Sequence, residues 1–269
     1  MKQRYPVLDE IRGITLCSMV LYHGVWDLVY IFSVDWAWYR SDFAYIWQQS
    51  ICCCFILLSG FCFSLGKRKW RRSFTVLLAG AVISLATEIF MPANRIQFGV
   101  LTLLGSSMVV MTVAEKLKSM YAIKEKVTIK GDALQEQVKD NSNVWMFISF
   151  LLFLLTRSIN KGYLGFANIR ITKVPERLYH LKDVGNFLGF TTDTFYSTDY
   201  FSLFPWFFLF LTGYFLQKQF VNKEWMPCLE ELPSMGKIWR LLGRHSLLIY
   251  MLHQVVIYGV LYLFFVILP

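Results

Sequence analysis

Four ionisable side chains share one side of the first apolar stretch of this chain. With Arg12 at the origin and about 100° per residue, His23 falls at about 20° and Asp9 and Asp27 at about 60°. At about 1.5 Å per residue, His23 lies roughly 16 Å along the axis from Arg12, with Asp27 about one turn further. The i, i+4 spacing lets Asp27 reach the imidazole. A carboxylate that orients a histidine raises its basicity, which suits a general base acting on an amine or hydroxyl. The same pair read structurally is a hydrogen bond that only holds helices together. Asp9 and Arg12 suit either a substrate contact or an i, i+3 ion pair near the inner boundary.

A second set of polar residues opens the last apolar stretch, which begins Gly243 Arg244 His245 Ser246. Ser246, Tyr250 and His253 are spaced by four and three and so share a helix face. His253 is a further candidate for proton transfer, with a satisfied packing histidine as the alternative. Gly99, Thr102 and Ser106 form a small-residue face that serves close helix contact or leaves room for a narrow ligand. Glu88 and Arg95 are expected to pair at the membrane interface. Asp199 precedes the run Phe201 Ser202 Leu203 Phe204 Pro205 Trp206, in which Pro205 is tolerated near a helix start and Trp206 fits an aromatic belt.

The elements that must position these groups are read from hydropathy. The 269 residues are 56% hydrophobic and 17% aromatic, too apolar for a domain with a fully wetted surface. About 20 apolar residues cross the hydrocarbon. On that ruler helices are expected near Ile11 to Phe32, Ala44 to Leu65, Ser73 to Phe90, Gln97 to Ala114, Val144 to Ser158, Phe201 to Phe220 and Ser246 to Leu268. The expected fold is an all-α polytopic integral membrane helix bundle of about seven transmembrane helices, one domain over residues 1–269. Of the 27 Lys and Arg most fall in Met1 to Arg12, Lys67 to Arg72, Glu115 to Asn143 and Gln217 to His245. The positive-inside rule then places those segments and the N-terminus in the cytoplasm. The basic clusters interrupt apolar stretches, which reads as topology and lipid contact, not nucleic-acid binding.

The outer loop, roughly Ile159 to Tyr200, is aromatic and is expected to be ordered; loops of that length are often functional. The inner stretch Lys116 to Asn143 has the composition of a solvated linker or surface helix. Five of the six cysteines lie in apolar segments, where a thiol behaves as a small hydrophobe, and no spacing suggests a disulfide framework or a metal site.

Several motifs, taken together and in order, resemble the heparan-alpha-glucosaminide N-acetyltransferase-like family of transmembrane acyltransferases, bacterial type. They are Leu8 Asp9 Glu10 Ile11 Arg12 Gly13 with Met19 Val20 Leu21 Tyr22 His23 and Asp27; Ile96 to Gly105; Asp199 Tyr200 Phe201 with Phe204 Pro205 Trp206; and Gly243 to Leu247 with Tyr250, Leu252, His253 and Gln254. The resemblance implies transfer of an acetyl group from acetyl-CoA, as donor, to a sugar amine across the membrane. Thr102 stands where family members often carry a histidine. The stretch Ser33 to Gln48 lacks the histidine that the lysosomal enzyme has after its first helix. His23 or His253 must then carry the chemistry.

The leading expectation is therefore an acyl-CoA-dependent acyltransferase acting on an amine or hydroxyl of a sugar or envelope glycan, without a metal. Catalysis is assigned to His23, Asp27 and His253. Substrate contacts are assigned to Asp9, Arg12, Thr102, Ser106, Asp199, Trp206, Arg244, Ser246 and Tyr250, with Arg12 and Arg244 drawing in the CoA phosphates. The alternative is a proton-coupled transporter or ion pathway along the His/Asp/Arg stripe. No Asn-x-Ser/Thr sequon marks a secretory lumen, so a bacterial cytoplasmic membrane is the expected setting; homo-oligomerisation stays open.

Overall fold

The structure is a computed structural model and describes residues 5–128, 141–167 and 169–268. The first four residues of the expected cytoplasmic N-terminus and residues 129–140 of the expected inner linker lie outside the described residues. The long helices are α1 (Pro6–Tyr30), α2 (Asp42–Phe63), α3 (Lys69–Phe90), α4 (Val100–Thr128), α5 (Ser142–Leu155), α7 (Leu203–Asn222) and α10 (Ser246–Tyr262). Short helices α6 (Lys182–Leu188), α8 (Cys228–Glu231) and α9 (Lys237–Arg244) lie between them.

Five stretches among the described residues are long and apolar enough to cross a membrane: Asp42–Phe63, Lys69–Phe90, Val100–Tyr121, Ser142–Lys161 and Ser246–Ile267. The chain is an integral membrane protein. α1 and α7 are as long, at 25 and 20 residues, but α1 carries His23 and Asp27 and α7 carries Gln217, Lys218 and Gln219 in its last two turns, which lower their apolar content. All seven helices fall where the hydropathy ruler puts them.

The chain divides into two compact units, Met1–Leu58 with Phe220–Pro269, and Ser59–Gln219. In the first, α1 and α2 run antiparallel, tied by Trp47 Nε1–H donating to Ser18 Oγ at 2.8 Å and by a 3.1 Å contact between Thr15 Oγ1 and Cys54 Sγ. Leu16, Met19 and Ile51 form the buried centre there. α9 crosses α1 in the opposite sense, with Gly243 beside Asp9 and Trp239 beside Gly13, and α10 then runs along α1 in its own direction, as His23 beside His253 and Asp27 beside Gln254 show.

The α1–α9 crossing depends on two glycines. A Cβ on Gly13 would stand 2.8 Å from the carbonyl carbon of Trp239, and one on Gly243 would stand 2.7 Å from that of Asp9. Backbone meets backbone at that point, a closeness only a missing side chain permits.

In the second unit α3 and α4 form an antiparallel pair with the same logic: Gly80 lies against Thr102, and Gly105 against Leu77. α5 and α7 also run antiparallel, through Gln219 with Ser142, Trp145 with Phe215 and Phe153 with Trp206. The described residues of the outer loop carry regular structure. The loop holds a two-stranded antiparallel hairpin, β1 (Tyr163–Phe166) with β2 (Ile169–Lys173), the one sheet among the described residues and a departure from a purely helical chain. Ile159, Val174 and Phe190 make its small core. The Tyr200 hydroxyl donates to the carbonyl of Asn186, and burial pushes its phenol well above the ordinary range.

Candidate active site

The first unit brings the expected stripe of α1 against α10. Near its outer end His23 and His253 meet edge to face, ring centroids 4.9 Å apart at 61°. His253 Nδ1 lies 2.6 Å from the Tyr250 carbonyl, one turn back along α10. An imidazole N–H directed at a carbonyl puts the lone pair on the other nitrogen, so His253 presents Nε2 as its basic atom. The Tyr250 ring lies 5.3 Å from that of His253 and packs on the Leu16–Met19–Ile51 cluster, which fixes both. Ser246 opens α10 on the same helix.

Asp27 differs from its expected role in one contact. The i, i+4 spacing suggested that its carboxylate would meet His23, but Oδ1 instead accepts a 2.6 Å hydrogen bond from Gln254 Nε2 on α10. Asp27 has no exposed surface, and its Oδ2 makes no hydrogen bond among the described residues. A neighbouring helix offered a better-aligned donor than a side chain on the same helix one turn away. Gln254 is the residue whose part was missed, although a Gln in an apolar helix is itself a costly group that must find a partner.

At the other end of the stripe Arg12 binds Asp9 at 3.0 Å, the expected i, i+3 pair, and Arg244 Nε approaches the same carboxylate at 3.7 Å. Both arginines therefore converge on Asp9, with the Arg244 side chain 41% exposed. Beside them is a second missed residue, Glu10, with no exposed surface. It accepts from Ser234 Oγ at 2.7 Å, from the Met235 N–H at 3.0 Å and from Arg240 at 2.8 and 3.2 Å. Four hydrogen bonds satisfy a buried carboxylate and tie the start of α9 to α1. No local pattern announces a partner more than 220 residues away.

The remaining expected contacts, Thr102, Ser106, Asp199 and Trp206, lie in the second unit. Thr102 Oγ1 and backbone stand against Gly80, which is the close-contact reading of the small-residue face; Ser106 is half-buried on the same helix. Asp199 lies beside Gly99, where the Phe201 N–H donates to the Phe98 carbonyl at 2.9 Å. Glu88 and Arg95 pair at 3.9 Å as expected. Trp206 corrects its expectation: only 5% exposed, it is no belt residue. The Arg157 guanidinium covers its face at 4.6 Å, and Phe153 and Phe201 close in at 5.6 and 5.2 Å. No group of three or more metal-ligating side chains occurs among the described residues.

The first unit thus holds a pair of imidazoles and a buried carboxylate on α1 and α10, with two arginines on one carboxylate toward the start of α1. Comparison with known families gives the class. The family model for heparan-alpha-glucosaminide N-acetyltransferase, catalytic, matches residues 4–155 and 144–255. The chain belongs to that family, a family of membrane acyltransferases. No curated protein and no solved structure matches it.

Proposed function

We propose that this protein moves an acetyl or similar acyl group from acyl-CoA to an amine or hydroxyl of a sugar or envelope glycan, within a single transmembrane acyltransferase domain of the bacterial cytoplasmic membrane. The observation that carries the reading is the His23–His253 pair, with buried Asp27 one turn along α1, set between two long helices of a membrane protein. Arg12 and Arg244 attract the donor's phosphates at the inner end of α1. The acceptor nitrogen or oxygen attacks the thioester carbonyl carbon; the new bond to carbon forms as the C–S bond breaks. His23 takes the acceptor's proton, His253 stabilises the imidazolium it touches, and the proton passes to the departing CoA sulfur. Asp27 supplies a compensating negative charge one turn along α1, held in place by Gln254.

The test is turnover of radiolabelled acetyl-CoA by protein in detergent, with donor binding followed in parallel. His23→Ala and His253→Ala should each abolish transfer and leave donor binding and melting intact. Full activity in folded His23→Ala would move the base to His253. A proton pathway is the second reading, because a buried carboxylate beside two imidazoles also suits a relay. It predicts pH equilibration of liposomes without donor, and no turnover in any variant.

A further inference from the structure

We propose that the bulged hairpin at the end of α5 holds the phosphate of an anionic phospholipid, through Arg170, Lys173 and Lys161 gathered around Tyr163. The inference does not depend on acyl transfer. Its ground is strand register. Tyr163 pairs with Lys173 and Leu164 with Thr172, but Gly165 pairs with Arg170, so Ile171 is an extra residue on β2. Arg170 and Lys173 are three residues apart, an odd spacing that puts two side chains on opposite faces of a regular strand. The extra residue turns Arg170 onto the face of Lys173. The Arg170 guanidinium accordingly stands 4.9 Å from the centre of the Tyr163 ring, the cross-strand partner of Lys173. Leu164, next along β1, packs instead on the core of Ile159, Val174 and Phe190. Gly165 builds the irregularity in: its φ is +150°, and a Cβ there would stand 3.0 Å from the Ile169 carbonyl carbon.

The cations gathered there have no carboxylate of their own. Lys161, Arg170 and Lys173 are exposed, and none of them joins an ion pair among the described residues. Their field is felt at the ring between them: the Ser158 hydroxyl first, and then the charges of Lys161 and Arg170, hold the Tyr163 phenol below its ordinary range. Like charges kept this close repel one another until an anion is shared among them.

Position in the chain chooses the anion. The apolar stretch Ser142–Lys161 ends on one of the three cations, and β1 begins at Tyr163, so the cluster lies where hydrocarbon gives way to headgroups. Phe166, Ile169 and Ile171 on the same hairpin are 47%, 67% and 63% exposed. Apolar side chains next to Lys and Arg suit a hairpin resting in the interface, with acyl chains against the first and phosphates level with the second. A soluble anion or an acidic peptide would leave those apolar side chains in water. Stacking on Tyr163 holds the guanidinium plane, so that its fork meets two phosphate oxygens while Lys173 and Lys161 act as point charges.

The experiment is photo-crosslinking of the full chain in phosphatidylcholine nanodiscs that carry a small fraction of photoreactive phosphatidylglycerol. Adducts are mapped by mass spectrometry and affinity is read by competition with unlabelled phosphatidylglycerol. The hairpin should be labelled, and each cation removed in Arg170→Gln, Lys173→Gln and Lys161→Gln should weaken the competition by about fivefold, with melting unchanged. Arg170→Gln/Thr172→Arg keeps the charge but moves it to the opposite face, and should behave as Arg170→Gln does. An unlabelled hairpin in wild type overturns the proposal, as does wild-type affinity in the triple Gln variant. Wild-type affinity in Arg170→Gln/Thr172→Arg overturns it too, because charge alone would then suffice without the bulge. Equal labelling by photoreactive phosphatidylcholine removes the anionic headgroup from the site. Loss of label in inorganic phosphate but not in chloride of equal ionic strength marks a site for soluble anions and overturns the lipid.

Discussion

Substituting alanine at Gly13 or Gly243 tests the crossing that holds α9, and through it α10, on α1. A Cβ at Gly13 would lie 2.8 Å from the Trp239 carbonyl carbon and 3.1 Å from the Gly243 nitrogen; at Gly243 it would lie 2.7 Å from the Asp9 carbonyl carbon and 3.1 Å from the Asp9 Cα. Carbon atoms rest at about 3.5–4.0 Å, so each substitution drives two backbones apart by roughly 1 Å. Neither neighbour is a side-chain end that can swing aside. Overpacking of this kind costs about 1–3 kcal/mol, and the upper end applies where only backbone can move. Near 3 kcal/mol the melting temperature should fall by roughly 6–12 °C. The two sites share one remedy, a separation of α1 from α9, so the double variant should cost much less than the sum of the singles. Tryptophan-fluorescence melting of the three variants in detergent measures both quantities. Melting within error of wild type, or strictly additive losses, would refute the reasoning.

Gln254→Leu should destabilise the protein by about 1–3 kcal/mol, because it strips the donor from a carboxylate that has no solvent to turn to. Asp27→Leu/Gln254→Leu should recover much of that loss while turnover stays absent, and a double variant less stable than Gln254→Leu would contradict it. Cysteines placed at Lys67 and Tyr179 should be labelled by impermeant reagent from opposite faces of the membrane, the first from the cytoplasm; labelling of both from one side counts against the charge-based topology.

The parts of the fold written in composition were legible. Seven long helices follow from apolar run length, and the Asp9–Arg12 and Glu88–Arg95 pairs follow from short spacing, where geometry is fixed by the helix or its adjoining turn. The hairpin was not, because its strands are four and five residues long and the tip's left-handed backbone at Ala167 falls on a residue without turn chemistry. The helix wheel put His23 and Asp27 on the right face of α1. It could not say that Asp27 would turn to Gln254, since that choice depends on the register of α10, set by contacts at Gly243 and Glu10 far along the chain. Trp206 shows the same limit from the other side: its position in sequence matches a belt residue, and only the Arg157, Phe153 and Phe201 side chains around it make it interior.

Direction of packing adds a constraint that hydropathy lacks. α1 and α10 run the same way, so as membrane-crossing helices they are the first and last of an odd number of spans. The five apolar stretches together with α1 make six, an even count that would force α10 to run against α1. One more crossing is required, and α7 is the remaining helix long enough to supply it, at 20 residues. Its polar end then has a reason: Gln217 and Gln219 are buried, and Gln219 bonds Ser142 at the first turn of α5. Gln219 is satisfied inside the second unit and both side chains are buried there, which is how a span can carry them through hydrocarbon without meeting lipid. α5 and α7 are antiparallel, as consecutive spans must be. The His23–His253 pair therefore lies between the first and last spans, on two helices that enter from the same side, with the arginines on Asp9 near the start of α1 and the imidazoles toward its end.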